Sequence, residues 1–171
     1  MIKTISIGII LLGTSIAANA QDSTWTSEEL SYYSTARALC QFLTHSKYDT
    51  GKRHILLDKY VLFFEMKGRE TQPRIEYFDG LFSYFARYID SVGLENLDAK
   101  PVRFFKSNTA AYKPFDNHLK WAATSTFFYY NKKEPSKPLG PLFFDPKSKK
   151  LAAWLWLNFG GELIFLTPNL Y

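Results

Sequence analysis

The sequence predicts an α+β fold, with N-terminal helices packed on a C-terminal antiparallel sheet arranged as a meander. Three observations carry this expectation. Apolar residues recur at spacings of three and four through the first half of the chain. In the second half they form short runs instead, and two of the breaks between those runs have hairpin or tight-turn chemistry.

Thr26 and Glu29 have the Thr-x-x-Glu spacing of a capping box, which opens a helix by satisfying its first free amides. Leu30, Tyr33, Ala36, Leu39/Cys40 and Leu43 then trace one helical face to about Ser46. Tyr48-Asp49-Thr50-Gly51 is a turn. The run Ile55 to Met66 fits a helix through Leu56, Tyr60 and Phe63/Phe64, and equally a strand through Tyr60–Phe64; helix is preferred. Pro73 suits a first helical turn, and Ile75, Phe78, Leu81/Phe82, Phe85 and Ile89 form a clear stripe ending near Gly93. A short strand is expected at Val102–Phe105, a short helix over His118–Ala123 capped by Asp116-Asn117, and a further strand over Thr124–Tyr130.

The last part reads as three strands. Leu142-Phe143-Phe144 leads into the turn Asp145–Lys149, the run Leu151–Phe159 follows, and Gly160-Gly161 turns the chain into Glu162–Thr167. Alternation puts Trp154, Trp156 and Asn158 on one face of the middle run, and Ala153, Leu155, Leu157 and Phe159 on the other. Both faces are apolar, so this run is expected to be a central strand covered on both sides. A curved, cone-shaped sheet of the cystatin-like or NTF2-like kind satisfies the element order, without implying a function.

The first twenty residues differ from the other 151. Lys3 precedes an apolar stretch from Ile5 to Ala17, and Ala18-Asn19-Ala20 is a small-x-small cleavage sequence, together the pattern of a signal peptide. The stretch is short for a membrane span, and no later apolar run approaches the roughly 20 residues a span needs. The expectation is a periplasmic or secreted protein whose residues 21–171 form one domain. Cys40 is the only cysteine, so no internal disulfide can form; it is expected to be buried and structural among Leu39 and Leu43.

No catalytic or cofactor signature appears. His45, His54 and His118 make no paired metal spacing, and there is no P-loop, dinucleotide fingerprint or Gly-x-Ser-x-Gly elbow. No cofactor, metal or catalytic residue is therefore assigned, and the reading leans away from an enzyme. A wall hydrolase built on dispersed carboxylates stays as a third reading. Glu28 and Glu29 read as first-turn helix acids, and Glu65 and Glu70 as solvated charges.

Two features stand out. Residues 132–150 hold Lys132, Lys133, Lys137, Lys147, Lys149 and Lys150 against Glu134 and Asp145. That net +4 equals the whole excess of 20 basic over 16 acidic residues beyond Ala20. It reads either as a solubilising rim of loop lysines or as an electropositive patch for an acidic partner or an anionic lipid surface; nucleic acid is not expected. The second feature is aromatic content: four Trp, 11 Tyr and 15 Phe, all after residue 20. Most occupy core-periodic positions, while Tyr112, Trp121, Tyr129, Tyr130, Trp154, Trp156 and Tyr171 are candidates to line a pocket or an interface.

The expected function is thus a small exported binding protein acting through a protein–protein surface, for instance an inhibitor or immunity-type protein. Binding of a lipid or other small apolar ligand in a pocket is the alternative. The binding residues singled out are Lys132, Lys133, Lys147, Lys149, Lys150, Tyr129, Trp154 and Trp156. N-terminal sequencing of the exported protein is expected to begin at Gln21; Met1 retained in a membrane fraction contradicts the leader assignment.

Overall fold

A computed structural model describes residues 25–46, 48–63, 71–160 and 162–166. The N-terminal segment read as a signal peptide, Glu65, Glu70, Gly161, Thr167 and Tyr171 lie outside the described residues. Helix α1 (Ser27–Ser46) starts as its sequence dictates. Thr26 Oγ1 accepts from the Glu29 amide at 3.1 Å, and the Glu29 carboxylate accepts from the Thr26 amide at 2.8 Å. Helix α2 (Arg53–Lys59) is short, and helix α3 (Thr71–Val92) carries Pro73 in its first turn.

The Ile55–Met66 ambiguity resolves into both forms. The helix stops at Lys59, and Val61 then bridges Leu151, with the Leu62 amide donating to Leu151 O at 2.8 Å. This short bridge covers an edge that would otherwise offer free backbone groups.

Strands β1 (Leu97–Pro101), β2 (Thr126–Asn131), β3 (Pro138–Phe144) and β4 (Leu151–Ala153) form an antiparallel sheet in the order β1-β2-β3-β4. The α+β meander is therefore present, and the sheet stays open. Pro138 and Pro141 are tolerated in β3 because β4 pairs only Phe143 and Phe144, leaving the proline-bearing stretch as an edge.

Several expectations are corrected. Val102–Phe105 is a 3₁₀ turn. Helix α4 occupies Thr109–Asp116, where Asn108 caps it by accepting from the Ala111 amide at 3.2 Å, despite Pro114 inside. The expected helix at His118–Ala123 is a turn followed by a 3₁₀ segment, Lys120–Ser125, so the next strand starts at Thr126. The reason is packing: Phe105 and Phe115 meet Phe128 edge-on at 5.1 and 5.7 Å, and that demand overrides the local pattern.

The largest correction concerns Leu151–Phe159. It is not one central strand. The chain bends at Trp154, ending β4, and continues as β5 (Leu155–Phe159), which pairs only with β6 (Glu162–Leu166) as a separate hairpin. The bend sends the two tryptophans to different layers. Trp154 is buried against α3, 4.1 Å from the Phe82 ring. Trp156 is half-buried and packs on Phe128 at 5.5 Å, on the opposite side of the sheet.

The sheet is thus covered on both faces. Phe127, Leu142 and Phe144 face α1 and α3, while Phe128 and Tyr130 face the 3₁₀ turn, α4 and the β5–β6 hairpin. One ion pair ties the layers. Arg103, just after β1, grips Glu29 with two parallel bonds of 2.7 and 2.8 Å.

Two outcomes follow from this packing. Trp154→Ala should lower unfolding free energy by about 3–5 kcal/mol, and Trp156→Ala by distinctly less, as read by urea denaturation. The Arg103 guanidinium holds the Glu29 carboxyl below its ordinary value near 4.5, against the opposing effect of burial. A depressed folded value means this stabilisation is complete above pH 4.5 and is lost as pH falls through the lower folded value. Glu29→Gln should be less stable at neutral pH and lose less stability on acidification, measured as urea midpoints from pH 7 to pH 3.

Candidate functional site

The lysines of 132–150 do not form one rim. Lys132, Lys133 and Lys137 lie in the β2–β3 loop, whereas Lys147, Lys149 and Lys150 lie in the β3–β4 loop, at the other end of β3. Most have local partners. Lys137 pairs with Glu134 at 2.6 Å, and Lys149 pairs with Glu28 while lying over the Tyr32 ring. Lys150 Nζ donates to Leu57 O at 3.1 Å, and Lys132 Nζ donates to Glu95 O at 2.8 Å. Lys133 and Lys147 are exposed.

Of the expected site residues, Tyr129 and Lys132 come together. Both line a cavity of about 290 Å³ between α1, the end of α3 and the β1–β2 strands. Its inner wall is apolar: Ala36, Phe85, Ile89, Ala99 and Leu142 are all buried. Tyr129 is half-buried beside Phe85 and Tyr88, at ring distances of 5.8 and 6.2 Å, and burial pushes its phenol well above the usual value. The ring also needs the bare Gly140 opposite it in β3, since a Cβ there would sit 2.8 Å from the ring edge.

The mouth is polar. Arg37, Gln41, Glu95 and Lys132 are exposed around it, and Asp98 is half-buried. Asp98 accepts from the Tyr33 hydroxyl at 2.8 Å, and Tyr33 in turn accepts from Arg37 at 3.3 Å. This chain of bonds runs from β1 to α1 and fixes the guanidinium.

Sequence reasoning missed Arg37 and Asp98 as mouth residues, and it placed Cys40 among the core leucines. Leu39 and Leu43 are indeed buried, but Cys40 is half-buried and forms part of the cavity wall. The available signal was size. Ala36 and Cys40, one turn apart on α1, are too small to fill the space opposite the Ala99 position of β1.

The remaining aromatic candidates divide. Tyr112 and Tyr130 are buried, and Trp121 is 66% exposed, edge-on to Phe143. Among the described residues no group of three His, Cys, Asp or Glu side chains comes together, and no described helix is long and apolar enough to cross a membrane. Comparison with protein-family models, curated protein sequences and solved structures finds no match to this chain.

Burial raises the Cys40 thiol to about 12, so its thiolate is scarce at neutral pH. Native protein should therefore react with a thiol reagent far more slowly than urea-unfolded protein, followed by absorbance of the released thiolate. Equal rates would show that the cavity wall is not formed.

Proposed function

We infer that this protein binds a small, mainly apolar molecule in the cavity between α1 and the β1–β2 strands. The observation that carries the reading is the gradient of the lining, from buried Phe85, Ile89 and Leu142 to exposed Arg37 and Lys132. Ligand sites of soluble proteins combine an apolar interior with a few convergent polar groups in this way. The volume is small for such sites, which argues for a slender ligand. The Lys3, apolar run and Ala18-Asn19-Ala20 series supports action in the periplasm or outside the cell.

A protein-binding role has its own supporting observation. On the β5–β6 hairpin, Trp156 and Phe165 are paired and turn inward, so Leu157 and Ile164 are paired and turn outward, 43% and 42% exposed. With Trp121 they offer apolar surface of the kind found at protein interfaces. Loss of a captured periplasmic partner on Trp121→Ser, without loss of ligand binding, would assign this second role.

For the cavity, titration of the chain from Gln21 with the apolar fluorophore N-phenyl-1-naphthylamine should give saturable one-site binding, displaced by decanol. Cys40→Phe should fill the wall and remove that binding while circular dichroism and the melting temperature keep the protein folded. Binding that does not saturate, or that a folded Cys40→Phe variant retains, overturns the reading.

A further inference from the structure

We propose that the cavity takes a medium-chain monocarboxylate, with its tail against Phe85, Ile89 and Leu142 and its carboxylate held at the mouth by Arg37 and Lys132. The proposal rests on the binding role inferred above and specifies its ligand class.

Size sets the tail. A cavity of about 290 Å³ lies at the small end of the range of roughly 300–1,000 Å³ for ligand sites. A chain of eight to ten carbons matches this, whereas a two-chain lipid does not.

Charge sets the head. The mouth carries two cations and two carboxylates, but their hydrogen-bonding states differ. Asp98 already accepts from the Tyr33 hydroxyl at 2.8 Å and from the Ala99 amide at 2.9 Å. The Glu95 carboxylate accepts from Asn96 Nδ2 at 3.1 Å. Neither cation forms a direct ion pair with a carboxylate among the described residues, although the Asp98 charge acts on Arg37 from a distance. Arg37 donates only to the neutral Tyr33 hydroxyl at 3.3 Å, and Lys132 to the Glu95 backbone carbonyl. A guanidinium has five N–H donors and an ammonium three, so both retain donors that an arriving carboxylate can use.

Arg37 is also held in place before any ligand arrives. Its guanidinium lies 5.8 Å from the Tyr33 ring centre, and Tyr33 is anchored on Asp98. An ordered side chain loses little further freedom on binding, which favours a two-bond grip on a planar carboxylate.

The test compares three ten-carbon chains, decanoate, decanol and decylammonium, by titration calorimetry on the chain from Gln21 at pH 7.5. Decanoate should bind at least tenfold tighter than decanol, since a single charge-assisted hydrogen bond already contributes about that increment, and decylammonium weakest. In the Arg37→Gln/Lys132→Gln double variant that preference should vanish while decanol still binds. Equal binding of decanoate and decanol leaves the apolar cavity in use and overturns the carboxylate assignment. So does tightest binding of decylammonium, or a preference that survives in the folded double variant. Failure of all three chains to bind overturns the cavity reading itself.

Discussion

Strand β2 is the constraint around which the molecule is organised. In Thr126–Asn131 the four successive residues Phe127 to Tyr130 are aromatic, so both faces of the strand require cover. Phe127 turns to α1 and α3, and Phe128 turns to the opposite side. At roughly 25 cal/mol per Å² of apolar surface removed from water, leaving either aromatic face open would cost several kcal/mol. The helices supply one layer. The second is assembled from short pieces: the 3₁₀ turn after β1, helix α4, and the hairpin β5–β6.

Covering two faces with one chain explains the bend at Trp154. A continuous strand through Leu151–Phe159 would have kept both tryptophans on one side, leaving the far side of Phe128 short of partners. Ending β4 at Ala153 allows Trp154 to fill the gap among the phenylalanines of α3. The rest of the run then crosses beneath the sheet, where Phe165 stacks on Phe143 at 5.0 Å.

The cavity follows from the same packing. Along α1 the large residues Tyr32, Leu39 and Leu43 are committed to the main core. Ala36 and Cys40 face the β1–β2 side, and small residues on adjoining elements leave space that rigid aromatic rings cannot enter. The opening coincides with a polar chain from Asp98 through Tyr33 to Arg37. The lysines of the β3–β4 loop serve a different purpose, since Lys149 and Lys150 tie that loop to α1 and α2.

What the sequence determined by itself is what depends on neighbours along the chain. The Thr26–Glu29 capping box, the Phe78–Phe82–Phe85–Ile89 stripe and the Asp145–Lys149 turn are each written in a few consecutive positions, and each is present. Tertiary structure decided whatever depends on which surface lies opposite. Alternation in Leu151–Phe159 specifies two faces but not that the chain changes layer midway. Val102–Phe105 has strand-like residues but is drawn into a turn by Phe128 and by the Glu29 grip on Arg103. The cavity mouth joins Arg37, Asp98 and Lys132 from three separated segments. Their proximity is a property of packing between distant parts of the chain, which local periodicity does not record.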